Sequence, residues 1–152
     1  MLSALKTSSF LCVLFFMAVN LVVTLRFQPF IFNNDSLTYV ETGNILVNGN
    51  GGVYPQRILK PLAPIIAVFL GSTSGRGTAV GLLLENVLFY LLITPLVYLL
   101  LLRMTRREIA AMFGAVCYIS AYPILAYGIT YFTELPSLFF LLAGFYGTIR
   151  FF

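Results

Sequence analysis

The sequence predicts an all-α membrane protein with about four transmembrane helices and one or two interfacial helices in its first outer loop. Of the 152 residues, 60% are hydrophobic and only 9% are charged, and the mean hydropathy is +0.97. A water-soluble domain needs more polar surface than this, so the apolar side chains must face lipid or one another. Several apolar runs also approach the ~20 residues that a helix needs to cross a bilayer.

Four apolar runs are predicted to span. Lys6 precedes the first run, which continues without a small-residue cleavage site and therefore indicates an uncleaved signal-anchor. The predicted spans cover roughly residues 8–25, 78–102, 109–132 and 135–150 of a single transmembrane module, 1–152. The outer loop between the first two spans covers residues 26–77.

The segment 57–71 is apolar but too short to span. Its unbroken apolar part, 61–70, corresponds to roughly 15 Å of helix, against a hydrocarbon core of ~30 Å. We therefore predict an interfacial or re-entrant helix here. The distribution of charges supports this prediction. If 57–71 does not cross the membrane, the basic turn at 103–108 lies in the cytoplasm, as the positive-inside rule prefers. Asp35 and Glu134 then share the outer face.

Two outer-face acids are candidate catalytic residues. Asp35 precedes a segment, 36–46, that can form a helix along the membrane surface. It either caps that helix or faces a cavity, where it would accept a proton from a hydroxyl. Glu134 is predicted at the outer end of the third long helix, close to Pro136, which would start the next helix. It is either an interfacial acid or the second carboxylate of the same site.

Three further charged residues lie at or near the membrane. Arg57 and Lys60 precede the short apolar segment, and they either extend to lipid head groups or bind the phosphate of a lipid-linked substrate. Glu85 lies within the second predicted span, where an ionisable side chain usually faces the interior of a helix bundle. For Glu85 the sequence favours a structural role over a catalytic one.

The composition gives no support for a bound metal ion or for bound nucleic acid. The chain has no histidine, which excludes a histidine-ligated metal site. Asp35, Glu41 and Glu134 are suitable ligands for a hard cation, but no spacing demands one, so no metal site and no cofactor are predicted. Most basic residues are scattered, and the charge pattern predicts no binding of nucleic acid.

Four stretches, in this order, resemble the amino-terminal module of the GT-C superfamily of glycosyltransferases. The closest likeness is to the protein O-mannosyltransferase and lipid A aminoarabinose transferase group. The first stretch has an aromatic residue, Tyr39, four residues after Asp35. The stretches are NNDSLTYVETGNILVNG, YPQRILKPLAPIIAVFLG, the helix pair around RMTRRE, and AYGITYFTELPSLFFLLAGFYGTIR.

The resemblance implies a membrane enzyme that passes a sugar from a polyprenyl-phosphate-linked donor to an acceptor protein, lipid or glycan. Asp35 would match the catalytic base on the acceptor hydroxyl, in a reaction that inverts the anomeric carbon. Glu134, which stands where much of the family has Asp, would position the acceptor or the carrier. Arg57 or Lys60, with Tyr39, would bind the substrate and its phosphate.

The resemblance also sets expectations about the whole protein. Members of the superfamily have several hundred residues, so the chain is expected to be the amino-terminal part of a longer polytopic enzyme. It would be a multi-pass protein of a prokaryotic cell membrane, rather than of the endoplasmic reticulum, with its active face outward. The alternative is a small non-enzymatic polytopic membrane protein, such as an assembly, transport or lipid-binding subunit.

Overall fold

The computed structural model describes residues 2–27, 34–48, 62–121 and 134–151. Within these ranges every regular element is an α-helix and there is no strand, which confirms the all-α class. The helices are α1 (Leu2–Phe27), α2 (Asn34–Asn48), α3 (Leu62–Ser74), α4 (Gly77–Thr105), α5 (Glu108–Ser120) and α6 (Glu134–Phe151). Both helices predicted in the first outer loop are present, as α2 and α3.

Two of the described helices are long and apolar enough to cross a membrane. They are the Thr7–Phe27 part of α1 and the whole of α4. At ~1.5 Å per residue, the 29 residues of α4 extend over about 43 Å, which exceeds a hydrocarbon core of ~30 Å. α3, α5 and the Leu135–Arg150 part of α6 are apolar but shorter than ~20 residues.

The outward faces of the helices are apolar. Phe15 of α1 is 64% exposed, and Leu141 of α6 is 69% exposed. Phe113 of α5 is similarly exposed. Large apolar side chains on several outer faces are costly in water and favourable in lipid, so these faces are suited to contact with hydrocarbon.

The third predicted span is not one continuous helix. α5 ends at Ser120, well before the predicted limit at residue 132, and Ala121 has extended backbone angles (φ −65°, ψ 131°). Pro123 explains this end, because proline lacks a backbone N–H and disfavours helical geometry at the residue before it. The predicted limit at 132 falls within residues 122–133, which lie outside the described ranges, so it stays a prediction.

α4 is the central helix of the described fold, because it contacts each of the other five. One buried cluster joins α4 to α5 and α6 and consists of Phe89, Tyr90, Ile93, Ile119 and Leu135. A second cluster, nearer the carboxyl end of α4, joins it to α1 and α5 and consists of Val13, Tyr98, Ala111 and Ala115. These contacts fix the register of the other helices along α4.

A polar contact connects α1 with α5 inside the apolar bundle. The Asn20 side-chain amide donates to the Ser120 hydroxyl at 3.0 Å and also approaches the Ile119 carbonyl oxygen at 3.4 Å. Hydrogen bonds between helices satisfy polar groups that have no water partner in hydrocarbon. Asn20 is thus a packing residue of the bundle.

Candidate active site

The structure describes only some of the residues that the sequence marks as functional. Asp35 is the second residue of α2, and Glu134 is the first residue of α6. Tyr39 lies on α2 with its side chain buried, in contact with α3 and α4. Arg57 and Lys60 lie outside the described ranges, although Lys60 precedes the first residue of α3 by only two positions.

α3 and α4 form a tight antiparallel hairpin because glycines let their backbones touch. A Cβ atom on Gly81 would overlap the carbonyl oxygen of Ala67 and come within 2.6 Å of the Gly71 amide nitrogen. A Cβ atom on Gly71 would likewise overlap the backbone at Gly77. The turn uses left-handed glycines, Gly75 (φ 66°) and Gly77 (φ 80°), a conformation that side chains with a Cβ rarely adopt.

The alignment of α3 with α4 fixes which part of α4 lies beside the start of α3. Gly71 lies against Gly77, and Ala67 lies against Gly81, so moving four residues back along α3 corresponds to four residues forward along α4. One further turn brings Ala63 to the level of Glu85. The amino-terminal end of α3, at Leu62, therefore lies beside Glu85.

α2 runs antiparallel to α4 and begins at the same level. The Thr78 hydroxyl donates to the Asn44 side-chain oxygen at 2.6 Å, and Tyr39 packs with Leu82. One more turn toward the start of α2 brings Asp35 to the level of Glu85. Ser36, next to Asp35, is completely buried, so this end of the helix is packed against the bundle.

α6 runs parallel to α4 from this level toward the basic end. The rings of Phe139 and Phe89 lie 5.4 Å apart, and Leu135 belongs to the buried cluster around Phe89. Glu134, the first residue of α6, consequently lies about one turn or less from the level of Glu85. The starts of α2, α3 and α6 thus converge around one segment of α4.

Glu85 lies at the centre of this convergence. It is on the same side of α4 as Gly81 and Phe89, one turn from each, and these two residues contact α3 and α6 respectively. Its side chain is 0% exposed. Neither carboxylate oxygen has a hydrogen-bond partner among the residues that the structure describes. Glu85 is therefore a buried acid facing the gap between the first turns of α3 and α6.

This arrangement suits a phosphorylated substrate that carries hydroxyl groups. Each helix start leaves backbone N–H groups without an intrahelical acceptor and carries a partial positive charge, which favours a bound anion. The backbone positions of Asp35 and Glu134 bring two acids to the level of Glu85. A carboxylate can accept a proton from a hydroxyl group, so the same place combines anion binding with a source of base.

Three expectations about site residues need correction or extension. α2 begins at Asn34, so Asp35 lies inside its first turn and not at the cap that precedes the helix. An acid in that turn is favoured by the positive end of the helix dipole. Glu134 opens the last helix and does not end the preceding one. Sequence reasoning missed that Glu85 faces the helix starts, because only the glycine contacts reveal the register.

Acids close to helix starts in an apolar helical bundle define the class of protein as an all-helical one with a polar site at one end. Comparison with known families narrows this class. The pattern of the dolichyl-phosphate-mannose-protein mannosyltransferase family matches residues 69–152, which is more than half of the chain. The chain belongs to this family, and the resemblance to GT-C glycosyltransferases is thereby confirmed. At the level of the family it is a glycosyltransferase of the mannosyltransferase type.

The family match covers some of the candidate site residues and not others. It covers the end of α3 and all of α4, α5 and α6, and so includes Glu85 and Glu134. Asp35, Tyr39 and the basic segment at 57–60 precede it. Neither a curated protein nor a solved structure matches the chain. The family and the two long apolar helices together indicate a membrane protein.

Proposed function

We propose that the chain is a module of an inverting glycosyltransferase. It would take a sugar from a polyprenyl-phosphate-linked donor and pass it to an acceptor on the outer or lumenal membrane face. The observation that supports this most strongly is the convergence of three helix starts, with Asp35 and Glu134, around the buried Glu85. In a lipid-facing bundle, such a place suits a substrate whose phosphate is attached to a membrane-embedded chain.

The proposal includes a four-span topology with α2 and α3 on the outer face. α3 extends along only the first part of α4, and the remainder of α4 continues to the basic residues Arg103 and Arg106. From Glu85 to Arg103 the helix rises about 27 Å, close to the ~30 Å of a hydrocarbon core. The converged helix starts then lie at the outer interface, and the arginines lie at the cytoplasmic one, as the positive-inside rule prefers.

In the proposed reaction Asp35 is the general base. Its carboxylate takes the proton of the acceptor hydroxyl while the acceptor oxygen attacks the anomeric carbon from the side opposite the phosphate. The bond between that carbon and the phosphate oxygen breaks, and the polyprenyl phosphate leaves with the bonding electrons. One displacement of this kind inverts the configuration at the anomeric carbon.

The other residues have supporting roles in this proposal. Arg57 and Lys60 stabilise the negative charge that grows on the leaving phosphate, and the start of α3 adds its partial positive charge. Glu134 positions the acceptor or the carrier. Tyr39 borders the substrate, and its packing against Leu82 and Ala67 holds α2 in register with α4.

The lipid-linked sugar donor distinguishes the proposed enzyme from transferases that use nucleotide-linked sugars. We expect the protein, in washed proteoliposomes, to transfer label from polyprenyl-phosphate mannose to a hydroxyl-bearing acceptor peptide. A nucleotide-linked mannose should give no product unless polyprenyl phosphate and its charging enzyme are added. The anomeric configuration of the product should be opposite to that of the donor.

Two results would contradict the proposal. Direct transfer from the nucleotide sugar in lipid-carrier-free vesicles would indicate a different class of transferase. Absence of transfer from the lipid-linked donor to peptide, lipid and glycan acceptors would instead favour the non-enzymatic membrane subunit.

A further inference from the structure

A cavity of about 670 Å³ lies at the opposite end of the bundle from the candidate active site. It lies between the carboxyl end of α4, the turn that leads to α5, and the last turns of α6. Its volume is within the range of ~300–1,000 Å³ that small-molecule sites occupy. None of the residues assigned to sugar transfer lines it, so the proposed reaction leaves the cavity unexplained.

The lining of the cavity has two chemically different zones. Leu99 provides apolar surface one turn nearer the middle of the bundle than Arg103, and Leu102 and Ile149 add to it. Arg103 and Arg106, both exposed, lie on the rim of the cavity at the end of α4. Acyl chains and an anionic head group require these two zones in this order along the membrane normal.

The backbone at the rim forms a short capped turn that carries two of the arginines. Arg106 has left-handed backbone angles (φ 54°, ψ 17°), and its N–H donates to the Leu102 carbonyl at 2.9 Å, closing α4. This cap directs the chain from α4 into α5 within two residues. Arg103 and Arg106 therefore stand three residues apart on a short, capped turn, with both side chains exposed.

The remaining polar residues of the cavity add hydrogen-bonding groups. Glu108, the first residue of α5, is half-buried on the rim, and its carboxylate accepts hydrogen bonds from hydroxyl groups. Tyr146 of α6 adds a hydroxyl that both donates and accepts. Together with two guanidinium groups, this set suits a phosphate that carries a hydroxylated substituent.

The apolar zone continues around α4 beyond this cavity. A second, smaller and mostly apolar cavity, of about 310 Å³, lies between α4 and α1 and is lined by Phe10 and Tyr98. It shares Leu99 and Leu102 with the first cavity. A ridge formed by these two leucines thus has an apolar recess on each side, which suits a ligand with two hydrocarbon chains.

We infer that this end of the bundle binds an anionic phospholipid with a hydroxylated head group, of the phosphatidylglycerol type. Arg103 and Arg106 pair with the phosphate, Glu108 and Tyr146 bind the head-group hydroxyls, and the acyl chains lie along Leu99. The charge of the rim selects an anionic over a zwitterionic lipid. The apolar zone favours a lipid over free phosphate, because free phosphate has no hydrocarbon chain to pack against the leucines.

The experiment measures lipid binding to the intact protein by native mass spectrometry from detergent. Phosphatidylglycerol and phosphatidylcholine with identical acyl chains are titrated separately. The wild type is expected to prefer phosphatidylglycerol. Each arginine near a membrane surface contributes a factor of about five to the affinity for anionic lipid. The double variant Arg103→Gln/Arg106→Gln should therefore bind phosphatidylglycerol about 25-fold more weakly, with phosphatidylcholine unchanged.

Two further variants separate a formed site from general attraction to a basic surface. Arg107→Gln/Arg150→Gln removes the same charge from the same end of the bundle without altering the lining, and it should change phosphatidylglycerol binding less than about twofold. Leu99→Trp fills the apolar zone at constant charge and should weaken the binding of both lipids. Thermal unfolding of each variant verifies that the fold is retained.

Four outcomes would overturn the inference. They are equal binding of the two lipids to the wild type, equal loss in the two double variants, unchanged binding in Leu99→Trp, and displacement of phosphatidylglycerol by millimolar inorganic phosphate. Equal loss would indicate a diffuse electrostatic surface, and displacement would indicate a site for free phosphate. Sugar transfer is not used as a readout, so the result is independent of the proposed reaction.

Discussion

Replacing Gly81 by alanine is expected to separate α3 from α4 and to destabilise the protein. The new Cβ atom would overlap the Ala67 carbonyl oxygen and lie 2.6 Å from the Gly71 amide nitrogen. Both neighbours are backbone atoms, so neither can move away by changing a rotamer. Overpacking typically costs ~1–3 kcal/mol, and we expect this substitution to lie at about 3 kcal/mol or above. The measurement is the unfolding transition of the purified protein in detergent.

Gly144→Ala is the matched control for this prediction. Gly144 also lies within an apolar helix, but a Cβ atom there meets no other atom within 4 Å. Alanine favours a helix over glycine by ~1 kcal/mol, so this control should be neutral or slightly stabilising. The two glycine-to-alanine changes should thus have opposite signs. Equal stability of the two variants would mean that α3 and α4 do not touch, and the level assigned to the start of α3 would be wrong.

Replacing Asp35 by asparagine is expected to abolish sugar transfer while leaving membrane insertion intact. Asparagine has nearly the same shape as aspartate but cannot accept the proton of the acceptor hydroxyl. Loss of a general base typically costs ~10²–10⁴-fold in rate, and we expect kcat to fall within that range while the KM for the lipid-linked donor changes little. The assay uses polyprenyl-phosphate mannose and the protein in washed proteoliposomes.

Glu41→Gln is the matched control on the same helix. Glu41 lies on α2 with an exposed side chain, and the change removes the same charge without altering the packed face of the helix. The control should retain wild-type kcat. Full activity in the Asp35 variant, or an equal loss in the Glu41 variant, would end the assignment of Asp35 as the base.

Much of the fold is predictable from the sequence because hydropathy is strong in this chain. The first and second predicted spans, 8–25 and 78–102, agree with α1 and α4 to within a few residues at most ends, since polar or basic residues interrupt the apolar runs there. The short helix α3 also follows from the length of its apolar run. The end of α5 does not, because apolar residues continue past Ser120 in the sequence although the helix stops there.

The candidate site is less predictable, because it depends on how the helices are aligned along one another. That alignment is set by backbone contacts at Gly71 and Gly81, and a single sequence does not show which glycines touch another helix. Glu85 illustrates the consequence. An acid in an apolar run indicates an interior position, but only the packing of Gly81 and Phe89 shows which helix ends it faces.

The proposed site requires Asp35 and Glu134 to share one aqueous compartment. Single cysteines at positions 35, 73, 105 and 134, in a variant without Cys12 and Cys117, can be labelled with a membrane-impermeant maleimide in sealed cells. We expect positions 35, 73 and 134 to be labelled from outside, and position 105 to be labelled only after permeabilisation. Labelling of 105 from outside, with 73 and 134 protected, would mean that α3 crosses the membrane and that the two acids lie on opposite sides.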